Sequence, residues 1–206
     1  MLSGDGIEIG ALHRPLPLPA GATVRYVDRL DTAGLAEEYP ELAGELVAVD
    51  VVDDAQRLAT FGDDGLDFVV ARHVLELLED PAGALAHWLR VLRPGGVLLL
   101  EVGDRRDGLD ARREPPTTEH LLADRADGGA GSRSGHYREW AELVDLPLGY
   151  VAAADVVAHA AMLERGGYPI HFHCWTPREL VAQLPAFALP ASVAAASGST
   201  IVLTRR

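Results

Sequence analysis

The sequence predicts an α/β fold: a doubly wound, mostly parallel sheet with a C-terminal antiparallel hairpin and a mainly helical insertion. Three observations predict it. Runs rich in β-branched residues alternate with short helix patterns from residue 6 to residue 102. The first four runs each end on or beside polar or glycine residues: Glu8-Ile9-Gly10, Asp28, Asp50 and Arg72-His73. The fifth, Val97 to Val102, is almost continuously apolar, as a strand buried on both faces must be.

The elements follow in order. Gly6 to Gly10 is a strand, and a proline-rich loop follows it (His13-Arg14-Pro15-Leu16-Pro17-Leu18-Pro19). Thr23 to Asp28 is the second strand, and Thr32 to Tyr39 is a short helix stopped by Pro40. Glu45 to Asp50 reads as the third strand and Asp53 to Thr60 as a helix. Leu66 to Ala71 is the fourth strand. Pro81 to Leu92 is a helix with Asp80 as N-cap and proline at its first position. Residues 103–175 break the pattern. They are rich in Arg, Asp, Gly and His, with helical patches near 117–125, 136–144 and 153–165 and an expected mobile loop at Gly128 to Ser132. Thr176 and Glu179 form a capping-box pattern for a last helix. Ala191 to Ala196 and Thr200 to Thr204 flank a Ser197-Gly198-Ser199 turn, so they pair as a hairpin.

The expected organisation is one domain over 1–206, with 103–175 inserted as a cap. The chain has 206 residues and a formal net charge of −13. It contains no lysine, which excludes a P-loop lysine and a Schiff-base cofactor. The acidic balance argues against nucleic acid and anionic membranes as partners. A single cysteine, Cys174, excludes an internal disulfide. No apolar run is long enough to span a membrane, and the N-terminus is not a signal peptide, so a cytoplasmic protein is expected.

In a doubly wound sheet the ligand crevice lies at the carboxyl ends of the strands. Gly10 permits close backbone approach there. Asp28 lies 20 residues beyond Glu8, the spacing of a ribose-binding acid, and Asp50 could accept from an adenine amine. Acids at strand ends also serve as plain caps and loop solvators. The first turn lacks the G-x-G-x-x-G run of a dehydrogenase.

Taken together, Gly-Ile-Glu-Ile-Gly, the acids at 28 and 50, Asp67-Phe68-Val69-Val70-Ala71-Arg72-His73, Asp80-Pro81 and Leu92-Arg93-Pro94-Gly95-Gly96 resemble the class I S-adenosylmethionine-dependent methyltransferases of the type 11 kind, with a Rossmann-like fold. The resemblance covers residues 6–102 well and 175–206 loosely. It implies S-adenosyl-L-methionine as cofactor and methyl transfer to O or N of a small-molecule, natural-product-like acceptor. It places Glu8 and Gly10 at the methionine moiety, Asp28 at the ribose, Asp50 and Val51 at the adenine, and Arg72 and His73 at the mouth of the substrate pocket. The family's glycine motif is atypical here: only its first glycine, Gly10, is present, and Ala11, Leu12, His13 and Arg14 follow. Ala11, His13 and Arg14 join the cofactor set, because Arg pairs with carboxylates bidentately. The helix after this loop is expected to be displaced or lost. The thin N-terminal cover leaves room for a homodimer. A protein that binds the cofactor or a partner without transferring a methyl group is the alternative.

Methyl transfer needs alignment and, for a protonated acceptor, a base. The insertion holds five of the eight histidines. His73, His136, His171 and His173 are the candidate bases. His171 and His173 alternate onto one side of an extended segment, where they could bind a metal completed by His120, His136, Glu119 or Cys174. There is no H-x-x-x-H pair and no second cysteine, so no metal set is assigned. Tyr137, Trp140, Tyr150, Tyr168, Phe172 and Trp175 suit a partly apolar acceptor pocket or simple cap packing. Arg105, Arg106, Arg112 and Arg113 follow the fifth strand and are open to an acidic group or to solvent.

Overall fold

A computed structural model describes residues 2–206. A seven-stranded sheet runs in the order β3-β2-β1-β4-β5-β7-β6. Its strands are β1 (Gly4–Ile9), β2 (Ala22–Asp28), β3 (Val51–Val52), β4 (Leu66–Arg72), β5 (Leu92–Glu101), β6 (Ala191–Ser197) and β7 (Thr200–Arg205). The first five are parallel, and β7 pairs antiparallel to both β5 and β6. β1 has β2 on one side and β4 on the other, so the strand order reverses there. That is where a doubly wound sheet opens its crevice.

The helices are α1 (Thr32–Glu38), α2 (Pro81–Val91), α3 (Thr118–Asp127), α4 (Arg133–Trp140), α5 (Leu146–Leu148), α6 (Val156–Gly166) and α7 (Pro177–Gln183). Asp80 caps α2 by accepting from the Gly83 N–H at 2.7 Å. The Thr176–Glu179 capping box of α7 is complete. A π-helical turn at Ala141–Asp145 continues α4.

Period-2 alternation sorts the strand residues onto two faces. Ile7, Ile9, Val27, Val69, Ala71, Leu98, Leu100, Ile201 and Leu203 share one buried core with Leu85, Trp88 and Leu89 of α2 and Leu180 of α7. Burying a side chain of this size stabilises the fold by about 1.5–3 kcal/mol. The opposite face carries Gly6, Glu8, Phe68 and Val70. No helix connects β1 to β2 among the described residues, as the sequence led us to expect. The proline loop crosses there instead, pinned where the Leu16 N–H donates to the buried Glu8 carboxylate at 2.9 and 3.1 Å.

Three elements differ from the sequence reading. Glu45 to Asp50 is not a strand, and only Val51–Val52 pairs with β2. The preceding residues give their N–H groups elsewhere: Val47 to the Leu12 carbonyl and Val49 to the Thr32 hydroxyl. Residues 53–60 form turns rather than a helix. There the Asp53 carboxylate accepts from the N–H groups of Asp54, Ala59 and Thr60, competing with helical bonds, and Leu58 takes a positive φ of 47°. The glycine-rich stretch 128–132 is a bonded turn. Asp127 accepts from the Gly129 and Gly131 N–H groups, and Ser132 donates to Asp124 at 2.6 Å.

Residues 103–175 build a second apolar cluster of Tyr137, Trp140, Val144, Leu163 and Phe172 among others. The segment docks on the loop after β4. The Gly103 N–H donates to Glu76, the His173 N–H to the Glu76 carbonyl, and Arg133 pairs with Glu79 at 2.8 Å.

Candidate active site

The carboxyl ends of β1 and β4 enclose a cavity of about 210 Å3, lined by Glu8, Gly10, Ala11, Leu12, His13, Arg14, Arg72 and His73. Seven of the residues singled out from the sequence, Glu8, Gly10, Ala11, His13, Arg14, Arg72 and His73, line this one cavity. Gly10 holds φ +66°, and a Cβ there would come within 2.9 Å of the Val74 side chain. His13 lines this cavity, and its Nδ1 is buried with no hydrogen-bond partner. A buried imidazole nitrogen without a partner costs free energy until something bonds it, so the residues present suit a polar ligand.

Several of these residues also have structural duties. The Glu8 carboxyl is buried, which pushes its pKa up, and the Leu16 N–H partly opposes that rise. Its oxygens are taken by the loop, so it forms cavity wall rather than a free ligand group. Arg72 braces the same loop, donating to the Arg14 carbonyl at 2.8 Å and to Glu101 at 2.5 Å.

Asp28 ends β2 beside the switch point. Burial raises its carboxyl pKa, and the Arg29 N–H donates to it at 2.7 Å. Asp50 departs from expectation. Its carboxylate accepts from the Tyr26 N–H at 2.8 Å, extending the β2 edge, and Val51 is a ladder residue opposite Val27. The shift of β3 makes Asp53 the acid at the strand's carboxyl end. The sequence reading missed it because the apolar run at 46–49 outweighed the two valines after Asp50.

A second cavity of about 310 Å3 is lined by His73, Glu76, Asp110 and His171, with Asp104, Arg105, Asp107, Cys174 and Trp175 nearby. His73 borders both cavities. It sits just past β4 with φ +55°, a conformation uncommon for a residue with a Cβ. Its Nδ1 lies 3.9 Å from Glu76, whose carboxylate raises the imidazole pKa despite partial burial. Glu76 Oε1 accepts from the Gly103 N–H at 2.7 Å, while its Oε2 is buried with no protein partner. His171 Nδ1 lies 2.6 Å from Asp110 Oδ2. Burial pushes the Asp110 carboxyl up, but His171 and Arg113 together hold it below the usual range.

Arg113 organises this wall. It is fully buried and donates to Asp110, to Glu139 and to the carbonyls of His171 and Phe172. Arg105 pairs with Glu179 and Arg106 with Asp104. Neither the solvated-loop reading nor the substrate-binding reading describes Arg113, which is an internal clamp.

The four candidate bases therefore separate. His73 and His171 face the 310 Å3 cavity. His136 and His173 do not: they belong to a cluster with His120 and Asp124. Burial together with the neighbouring His173 and His120 lowers the His136 pKa to about 3, which makes it a weak base. His171 and His173 alternate as expected, yet each meets a different carboxylate. Glu76, Asp110 and Asp124 went unnoticed in the sequence. Their signals were weak helical spacings: Glu76 three residues after His73, Asp110 three before Arg113, and Asp124 four after His120.

The strand order and the switch-point cavity are those of a doubly wound α/β protein with its crevice at the strand carboxyl ends. Comparison with known proteins gives a partial family match and the fold. Residues 6–100 match the model of the methyltransferase domain. A solved S-adenosylmethionine-dependent methyltransferase of Thermotoga maritima, described as a possible histamine N-methyltransferase, superposes with TM-score 0.52 at 15% identity, covering 100% of this chain and 84% of that one. Two further methyltransferase structures are similar. One, from Methanosarcina mazei, has TM-score 0.49 and 19% identity, with 98% and 92% of the two chains covered. The other, from Methanococcus maripaludis, has TM-score 0.48 and 13% identity, with 100% and 78% covered. No curated protein matches the chain. The matched segment is just under half of the chain, and the Thermotoga maritima superposition shows a methyltransferase-type fold.

Proposed function

We propose that the protein methylates an oxygen or nitrogen of a small, neutral or basic acceptor held in the 310 Å3 cavity, with 103–175 acting as its cap. The single observation that carries the reading is the position of His73, on the wall between the switch-point cavity and the cavity of the insertion. When bound, S-adenosylmethionine supplies an electrophilic methyl group on a sulfonium. Gly10, Ala11, His13 and Arg14 would hold its amino-acid end, and Asp28 its ribose. The 210 Å3 cavity is smaller than a full ligand pocket of about 300–1,000 Å3, so it suits one end of the cofactor, with the rest along the ends of β2 and β3.

On the acceptor side, the unpartnered Glu76 Oε2 suits an O–H or N–H donor on the acceptor. Glu76, Asp104, Asp107 and Asp110 line the cavity, whereas its arginine, Arg105, is already paired with Glu179. That balance disfavours an acidic acceptor. His73, oriented by Glu76, receives the acceptor proton at an imidazole nitrogen. His171, oriented by Asp110, positions the acceptor from the opposite wall.

The test is transfer of a labelled methyl group from S-adenosylmethionine to a panel of hydroxyl and amine acceptors, with wild type and His73→Ala. Turnover that falls at least about a hundredfold in the variant, with cofactor binding kept, supports the reading. Binding of cofactor with no turnover on any acceptor favours the non-transferring alternative.

A further inference from the structure

His120, Asp124, His136 and His173 converge where α3, α4 and the extended segment before α7 meet. One donor atom from each lies within 4.8 Å of all the others. His120 Nε2 is 3.1 Å from His136 Nε2 and 3.1 Å from Asp124 Oδ2, and His173 Nε2 is 3.0 Å from Asp124 Oδ2. Donors around a tetrahedral zinc ion, with bonds of about 2.0–2.2 Å, stand about 3.3 Å apart. These three separations are close to that value.

The surrounding bonds fix which atoms are free. His173 Nδ1 lies 3.1 Å from the Leu78 carbonyl, so it donates its proton there and leaves a lone pair on Nε2. That lone pair faces the Asp124 carboxylate oxygen at 3.0 Å, a pairing of two lone-pair donor atoms that a cation between them would satisfy. Asp124 Oδ1 is held by the Ser132 hydroxyl at 2.6 Å, which aims Oδ2 at the cluster. Trp175 stacks on His173 and Phe172 meets His136 edge-on, so both rings are set by packing. An imidazole whose second nitrogen donates to a backbone carbonyl, inside an apolar shell, is the usual support of a metal ligand.

We propose that His120, Asp124, His136 and His173 bind one zinc-class divalent metal ion that staples α3, α4 and the 169–175 segment together. Three imidazoles and one carboxylate are borderline nitrogen and oxygen donors, which suits zinc better than calcium or magnesium. Cys174 is not a fifth ligand: it lies outside the cluster, and its thiol faces the Glu114 carbonyl instead. Glu119 is exposed and outside the cluster. The ion would sit in the wall of a cavity of about 650 Å3 lined by His120, His136 and His173, so it can be reached from solvent.

The test begins with metal analysis of protein purified without a histidine tag. Chelator-stripped protein is then titrated with zinc chloride by calorimetry and with cobalt chloride in the visible region. The expected result is about one zinc per chain, tight stoichiometric rebinding, and the intense cobalt bands of a tetrahedral site. His136→Ala and Asp124→Asn should each weaken zinc binding by at least about a hundredfold. His159→Ala, whose ring pairs with Asp145 elsewhere in the insertion, should not weaken it. If a variant fails to fold, the wild-type cobalt spectrum decides. No metal, no heat on adding zinc, or wild-type affinity in His136→Ala would overturn the proposal. Neither readout involves the methyl donor, so failure here leaves the methyltransferase reading untouched.

Discussion

Replacing Arg113 by methionine keeps most of the side-chain volume and removes the guanidinium from a fully buried site. The loss can be worked from its partners. Arg113 bonds Asp110 at 2.8 Å, Glu139 at 2.7 Å, and the carbonyls of His171 and Phe172 at 2.7 and 3.0 Å. Removing one partner of a buried ion pair costs about 3–5 kcal/mol, because the acceptors left behind stay desolvated. At about 2–4 °C per kcal/mol for a chain of this size, Tm should fall by about 6–20 °C. Arg113→Lys keeps the charge but not the fork, and should recover less than half of the loss. Scanning calorimetry or fluorescence melting reads both variants. A Tm within about 2 °C of wild type for Arg113→Met would refute the argument that Arg113 clamps the wall carrying His171.

Glu76 raises the His73 pKa, and a base works only when deprotonated, so the acidic limb of the rate profile should lie above the ordinary imidazole value of about 6.5. In Glu76→Gln that limb should move to lower pH; a limb that stays in place removes His73 from the proton-transfer role. Gly10→Ala places a Cβ at φ +66° within 2.9 Å of Val74, so affinity for S-adenosylhomocysteine, read by calorimetry, should fall at least about tenfold. Unchanged affinity would place the cofactor elsewhere. Gly129→Val should destabilise the protein by several kcal/mol in urea unfolding, because at φ +82° its Cβ meets the Glu79 backbone at 2.6 Å. A cost below about 1 kcal/mol would show that the 128–132 turn can move freely.

Where local signals were strong, the sequence was legible. Proline after Asp80, the capping box at Thr176 and the small turn at 197–199 each act through bonds within a few residues, and each element formed as read. Residues 53–60 were misread because the Asp53 carboxylate captures nearby N–H groups, and 45–50 because the decisive bonds are long-range. Val47 reaches Leu12, and Val49 reaches Thr32, so an apolar run that looks like a strand is used to close loops. The candidate site divided in the same way. The strand-end residues were placed by topology, which the alternating pattern encodes. The histidine partners were not, because Asp110 and His171 are 61 residues apart, and Asp124 and His173 are 49 apart. Two histidines on one side of a strand suggested a shared site, yet the fold brings each a different acid.

The most direct test of the central claim is calorimetric titration of the pure protein with S-adenosylhomocysteine, with Asp28→Ala alongside. The account predicts one site per chain in the micromolar range for wild type, weakened at least about tenfold in the variant. No binding by folded wild-type protein would contradict a functional donor site built on Gly10, His13 and Asp28.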